Sequence, residues 1–248
     1  MEKALKGFGR KLARRSRKNK KSHIFSKLVK IFISLLIGLI SISLMQVVIL
    51  KFFSPPFTAR MAWNTISHIF KSGRYQPPVF IWRPLDKISP HLQKAVLAGE
   101  DQRFPIHNGF DLVEIRQALN EFFLENKFRG ASTISMQTAR TIYLLPDRGF
   151  IRKSLEAYYT VLIEMIWSKR RILEVYLNTV DWGPQIIGAE AASLKYFVKP
   201  SDQLTRGQAA LLAAILPNPH RLSPVKSSSY VKTRARRILA DMDRMPLM

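Results

Sequence analysis

Ile31 to Leu50 reads IFISLLIGLISISLMQVVIL, twenty residues without a charge, bracketed by Lys30 and Lys51. At about 1.5 Å per residue a helix of that length spans roughly 30 Å, the thickness of a bilayer's hydrocarbon core. Core helices rarely run so long without a polar face, so the pattern predicts a transmembrane helix over 31–50. The run is longer than the usual apolar region of a cleaved signal peptide. The following FFSPPF also lacks a small-x-small cleavage site, which favours an uncleaved anchor.

After the apolar run the pattern changes twice. Residues 51–78 read as a membrane-proximal linker, broken by Pro55-Pro56 and Pro77-Pro78. Phe52, Phe53, Phe57 and Trp63 suit a membrane–water interface, where aromatic side chains gather. Residues 79–86, VFIWRPLD, read as a short extended piece. From Ser89 onward the spacing is helical. Ser89-Pro90 is a cap followed by proline at the first helical position. Asp111 with Glu114 resembles a capping box, and Ile115, Leu119, Phe122 and Phe123 mark the expected buried face of the helix that follows. Further helices are predicted over 133–144, over 151–167 and around Ile172 to Leu177. An Ala-rich packing segment covers 188–196, and a central apolar helix over 204–216 stops at Pro217-Asn218-Pro219. A final basic helix is predicted over 227–244. No strand of any length appears, so the fold class is mainly α.

Charge sharpens this division. Residues 1–30 carry twelve Lys/Arg and one Glu, a net +11, and the remaining residues bring the chain to +23. The basic arm, read as disordered on its own, predicts a cytoplasmic N-terminus and places residues 51–248 outside the cytoplasm. Its charge suits anionic headgroups. Nucleic acid would also suit it but does not fit the adjacent membrane span. Cysteine is absent, which excludes disulfides and thiolate metal sites. The organisation expected is a basic cytoplasmic tail over 1–30, a transmembrane helix over 31–50, the linker, a catalytic domain over 79–225 and a basic segment over 226–248.

The candidate chemistry sits in AVLAGEDQRFPIHNGFD, residues 95–111, and in GASTISMQ about twenty residues later. Glu100 ends an apolar helical run and is the first candidate for a general base, which must be ionised and within hydrogen-bond reach of its proton. The competing reading is a surface carboxylate at a helix end. Asp101 points elsewhere on the helix and suits orientation of a backbone amide or a cation. Phe104 is expected to pack beneath the turn, and His107 reads as a hydrogen-bonded structural histidine. Gly130-Ala131-Ser132-Thr133 reads as a helix entry whose free amides would favour phosphate, or as an ordinary cap. Gln137 and Arg140 follow one and two turns in. Arg148, Arg152 and Glu156 are spaced by four, with Lys153 three before Glu156. That stripe reads as a solvated salt-bridge face or as a cationic cradle for a diphosphate, with Glu156 aligning its cations.

Together these motifs resemble the biosynthetic peptidoglycan glycosyltransferases that polymerise lipid II. Residues 95–111 are similar to that family's E-D-x-x-F-x-x-H-x-G motif, GASTISMQ to G-G-S-T-I-x-Q-Q, and RKSLE at 152–156 to R-K-x-x-E. KRRILEVYLN, GAEAASLKYF and QAALLAAILPNP follow in the family's order, and the likeness is closest to the monofunctional, membrane-anchored branch. The resemblance implies a lysozyme-like, mainly helical glycosyltransferase domain. It implies a reaction in which the 4-hydroxyl of lipid II attacks the lipid-linked end of the growing strand. Undecaprenyl diphosphate then leaves, with inversion to a β-1,4 bond. Carried over by motif, Glu100 and Glu156 are the catalytic carboxylates, the latter on the diphosphate side with Arg152 and Lys153. Ser132, Gln137, Arg140 and Arg148 are donor-site contacts, and Asp101, Phe104 and Thr133 fall on the substrate side.

No cofactor is required by the sequence, although the family leaves room for Mg2+ or Mn2+ near the diphosphate. The partners implied are lipid II, the growing strand, membrane lipids and other wall-synthesis or division proteins, with no nucleic acid. The location implied is the bacterial inner membrane, with the catalytic domain periplasmic. Met136, Ala131, Gly99 and the Arg140-Thr141 pair depart from the usual pattern. Two other readings stay open at this point. One is a lytic transglycosylase or muramidase, which would need no diphosphate cradle. The other is a non-catalytic membrane scaffold.

Overall fold

The computed structural model describes residues 2–69, 77–126, 130–147 and 149–248. The chain divides into two units, residues 1–49 and 50–248. Helix α1 spans Glu2–Phe52. From Phe25 to Phe52 it is long and apolar enough to cross a membrane, and only 11% of its most apolar window is buried in the protein. A soluble core helix would bury that face, so α1 fits a single-pass membrane anchor. The helix also runs back through the basic arm, where the sequence reading expects disorder. The arm holds no proline and is rich in Lys and Arg, which are good helix formers. An existing helix also extends without a new nucleation cost.

In the second unit, α2 (Ala59–Ile69) lies inside the stretch read as linker. Thr58 starts it, with its hydroxyl oxygen accepting from the Met61 amide. Next come β1 (Val79–Phe80), a 3-10 turn at Leu85–Lys87, α3 (Pro90–Glu100) and α4 (Leu112–Glu125). Helices α5 (Ile134–Tyr143), α6 (Phe150–Ile166) and α7 (Lys169–Thr179) follow. Strands β2 (Asp181–Gly183) and β3 (Ile186–Ile187) then lead into α8 (Ala189–Phe197), α9 (Arg206–Ile215) and α10 (Ser229–Asp241). The sheet is small, in the order β1-β3-β2, with β1 parallel and β2 antiparallel to β3. Strands of two or three residues are too short to leave a period-two pattern in the sequence.

The expected caps form. Ser89 accepts from His91, and Asp111 accepts from the amides of Val113 and Glu114. Thr133 accepts from Met136. Helix α9 is the central element, with Ala209, Ala210, Leu212, Ala213, Ala214 and Ile215 all buried. It packs against α3 on one side and α10 on another, while α5 packs on α6 and α7. Helix α7 also holds the segment before α3. Asn178 accepts from the Arg83 amide and donates to the Arg83 carbonyl, and Glu174 accepts from the Leu85 amide.

Two expectations need correction. Helix α10 buries Val231, Ala235 and Ile238, so the basic C-terminal segment is packed into the same body as the catalytic motifs. Gly99 permits this approach, because a Cβ there would lie 3.0 Å from Cδ1 of Ile238. Conversely, α4 buries no residue, and Leu119, Phe122 and Phe123 are exposed. Helical spacing identifies an apolar face but not what covers it.

Candidate active site

Glu100 is the last residue of α3, and its carboxylate is held from two directions. Gln137 Nε2, from α5, donates to Oε2 at 3.0 Å. Arg234 Nη2, from α10, donates to Oε1 at 3.2 Å and to the Gly99 carbonyl at 2.8 Å. The side chain is 12% exposed. Burial pushes its pKa above the ordinary glutamate value, helped by the neighbouring charge of Asp101, while Gln137 and Arg234 pull it back. Each carboxylate oxygen has a second lone-pair direction, so the two donors leave acceptor capacity for an incoming hydroxyl. Tyr176, buried in α7, places its hydroxyl 3.5 Å from Gln137 Oε1. Its burial, with Glu100 close by, holds that hydroxyl in the neutral form, and Arg140 acts in the opposite direction.

Asp101, Phe104 and Thr133, expected on the substrate side, are buried and engaged internally. Asp101 Oδ2 accepts from the Ile134 amide at 2.9 Å, and both of its oxygens lie 3.0 Å from His107 Nε2. The Gly109 amide donates to His107 Nδ1 at 3.2 Å, which places the ring proton on Nε2 facing Asp101. Thr133 Oγ1 donates to the Gly109 carbonyl at 2.6 Å. Phe104 is fully buried beneath Lys169, whose ammonium lies 4.5 Å from the ring centroid. These residues lock the turn after Glu100 onto the start of α5. They also occupy two of the first amides of that helix, those of Ile134 and Met136, so its N-terminus is internally capped. The phosphate reading of that helix entry therefore loses its main donors.

Gly109 completes the lock. Its φ is +88°, and a Cβ would lie 2.8 Å from Thr160 Cγ2 and 3.0 Å from Glu164 Cγ. Gly109→Ala is therefore expected to destabilise the domain by roughly 1–3 kcal/mol. Its melting temperature should fall clearly below wild type; an unchanged melting temperature would show that the turn is not a fixed support.

Glu156 is fully buried in α6, capped by Arg152 Nη1 and Lys153 Nζ, each at 2.6 Å. It lies buried beneath these two cations and holds both of them. Lys153 is about half exposed and Arg152 mostly covered, and both keep further N–H donors. Arg140, one turn after Gln137, has no ion-pair partner among the described residues. Ser132 lies just before the α5 cap and is partly exposed. Arg148 lies outside the described residues.

The residue that sequence reading missed is Arg234. It sits 134 positions from Glu100, inside a segment rich in arginines that spacing alone cannot tell apart. Among the described residues no group of three or more His, Asp or Glu side chains could hold a metal ion.

Fold and site together define a lysozyme-like helical domain that presents a mostly buried Glu100 carboxylate at the end of α3, with Lys153 exposed and Arg140 and Arg152 partly exposed on the neighbouring helices. A family model described as Transglycosylase matches residues 68–243, and the chain belongs to that family. Among its relatives, a biosynthetic peptidoglycan transglycosylase of Shewanella oneidensis is 47% identical over 201 residues, covering 81% of this chain and 85% of the relative. One of the same description from Aeromonas hydrophila is 44% identical, covering 85% and 88%. Another, from Bacteroides thetaiotaomicron, is 41% identical, covering 89% and 88%.

Proposed function

We propose that this chain is a peptidoglycan glycosyltransferase that polymerises lipid II into β-1,4-linked strands, with Glu100 as general base. The observation that carries the proposal is the Glu100 carboxylate, mostly buried yet held, among the described residues, by one donor on each oxygen. In the reaction the 4-hydroxyl oxygen of lipid II attacks C1 of the lipid-linked sugar as the bond from C1 to the diphosphate oxygen breaks. The hydroxyl proton passes to Glu100, and undecaprenyl diphosphate departs from the opposite face, which inverts the anomeric centre. A carboxylate of raised pKa is the stronger base for that transfer, provided the working pH keeps it ionised. Negative charge grows on the leaving diphosphate, where fixed cations stabilise the transition state most. Arg140, Arg152 and Lys153 supply those cations, with Ser132 and Arg148 as further donor-side contacts. Glu156 sets Arg152 and Lys153 in place.

The substrate's lipid tails call for a membrane site. In the second unit, α4 exposes Phe122, Phe123 and Leu124, and the start of α6 exposes Phe150 and Ile151. Exposed large apolar residues of this kind fit contact with lipid hydrocarbon. The basic arm favours a cytoplasmic N-terminus, which puts the catalytic unit on the periplasmic side of the inner membrane.

Purified protein mixed with lipid II in detergent is the test. The expected product is a ladder of strands that a muramidase digests back to disaccharide units. Lipid II left unchanged by folded protein would refute the proposal.

Arg234 offers a second check, because it lowers the Glu100 pKa. Arg234→Gln removes that effect, so the acidic limb of kcat/KM against pH should move to higher pH. Part of the lost rate should return as the pH rises. An unmoved limb would show that Arg234 does not tune the base.

A further inference from the structure

Tyr176 stands in α7 and is 1% exposed, and no step of the proposed reaction uses it. Its hydroxyl oxygen lies 3.5 Å from Gln137 Oε1. That is long for a hydroxyl donor, but hydrogen bonds around a catalytic group are often loose before substrate binds. Among the described residues Gln137 is the one hydrogen-bond partner of this hydroxyl. A buried tyrosine hydroxyl needs such a partner. The same amide meets Glu100 with its other end, since Nε2 donates to Oε2 at 3.0 Å. Gln137 therefore bridges a buried donor and a carboxylate. The charged groups around this corner are Glu100 and Asp101 at the end of α3, Arg140 on α5 and Arg234 on α10.

A glutamine amide carries an acceptor at one end and donors at the other, and a half turn about its last side-chain bond exchanges them. With the NH2 toward Glu100, the carboxylate receives a donor and the Tyr176 hydroxyl finds an acceptor. With the amide turned over, its carbonyl oxygen would face the carboxylate, and the hydroxyl proton would meet an NH2 that cannot accept it. Two neighbours thus select one orientation. Glu100 does so only while ionised, because a protonated carboxyl can itself donate to the carbonyl. Tyr176, held neutral by burial, selects it in both states of Glu100. We infer that Tyr176 is a positioning residue that keeps the Gln137 NH2 aimed at Glu100 before and after each proton transfer. This inference rests on the glycosyltransferase reading, and it gives a buried tyrosine a part in the reaction through the amide it holds.

The experiment compares the full chain as wild type, Tyr176→Phe, Gln137→Leu and the double variant. The Glu100 carboxyl is titrated by infrared difference spectroscopy, with Glu100→Gln to assign its band, and kcat and KM on lipid II are followed against pH. Tyr176→Phe frees the amide to turn or to swing into solvent, because Gln137 is only partly buried. Glu100 then loses a donor that favours its charged form. Its titration midpoint should rise by about one pH unit, the scale of one hydrogen bond to a charged group. The acidic limb of kcat/KM should rise with it, the loss should appear in kcat more than in KM, and rate should return at higher pH. Gln137→Leu should raise the midpoint as far or further, and Tyr176→Phe should add nothing to it in the double variant. A purely structural Tyr176 would lower the melting temperature and leave the midpoint in place. An unmoved midpoint in folded Tyr176→Phe would overturn the inference, as would shifts that add in the double variant. A Tyr176→Phe chain that does not fold would overturn it too, since the effect is expected to stay within this corner. Failure of the glycosyltransferase reading would look different: folded wild type would leave lipid II unlengthened, while the carboxyl titration would still report on Tyr176.

Discussion

Glu100→Gln is expected to reduce lipid II polymerisation by about 10²- to 10⁴-fold, the range general-base catalysis contributes. The substitution keeps the shape of the side chain and removes its ability to take a proton. Arg234 should hold the new amide through its oxygen, and Gln137 can turn its own side-chain oxygen to the new NH2, so lipid II binding should change far less than turnover. Stability separates this outcome from misfolding. The folded pKa of Glu100 lies above the ordinary glutamate value. Such a group favours folding below its unfolded pKa, and that contribution is lost as pH rises through the folded value. At neutral pH the charged carboxylate is thus a net cost, and Glu100→Gln should melt at the same temperature as wild type or higher. Below about pH 4, near the ordinary carboxylate pKa, the difference should vanish. Loss of activity with retained or raised stability would place the defect in chemistry. Activity within a factor of two of wild type would remove Glu100 from the mechanism.

Glu156→Gln carries the second largest effect, by a different route. The carboxylate is fully buried and holds two cations at 2.6 Å each. Removing its charge leaves Arg152 and Lys153 repelling each other at the helix entrance. Lys153 can relax into water because it is half exposed, so the stability loss should stay below the 3–5 kcal/mol that breaking a fully buried pair costs. Activity should suffer more, because cations set for a leaving diphosphate act through position. A fall in kcat of about 10²-fold or more is expected, the scale of losing one fixed transition-state donor. The limb of the pH profile assigned to Glu100 should not move, since Glu156 does not touch that carboxylate. A shifted limb with unchanged kcat would contradict the division of roles.

Much of this arrangement was legible in the chain, and the reasons are local. Ser89, Asp111 and Thr133 declare helix starts because capping depends on residues within one turn. The uncharged run before Lys51 declares a span because length and composition suffice. Their motifs mark Glu100 and Gln137 but not the contact between them, which depends on how α3 meets α5. Arg234 was invisible for the same reason at greater range. Asp101 and Thr133 were placed on the substrate side because they stand in motifs with substrate-contacting residues. The structure shows them holding the turn that presents Glu100. Helix α4 marks the opposite limit: its spacing predicts a buried face, whereas Leu119, Phe122 and Phe123 are exposed. Periodicity alone does not say what covers an apolar face.

The most direct measurement offers the same preparation two substrates in parallel: lipid II, and finished glycan strands without a lipid carrier. Product lengths are read by electrophoresis. Lengthening of lipid II into strands, with the finished strands left intact, is the result expected if the cations on α6 serve a leaving diphosphate. Shortening of the finished strands, with lipid II untouched, would contradict the account and make Glu100 the acid of a cleavage reaction.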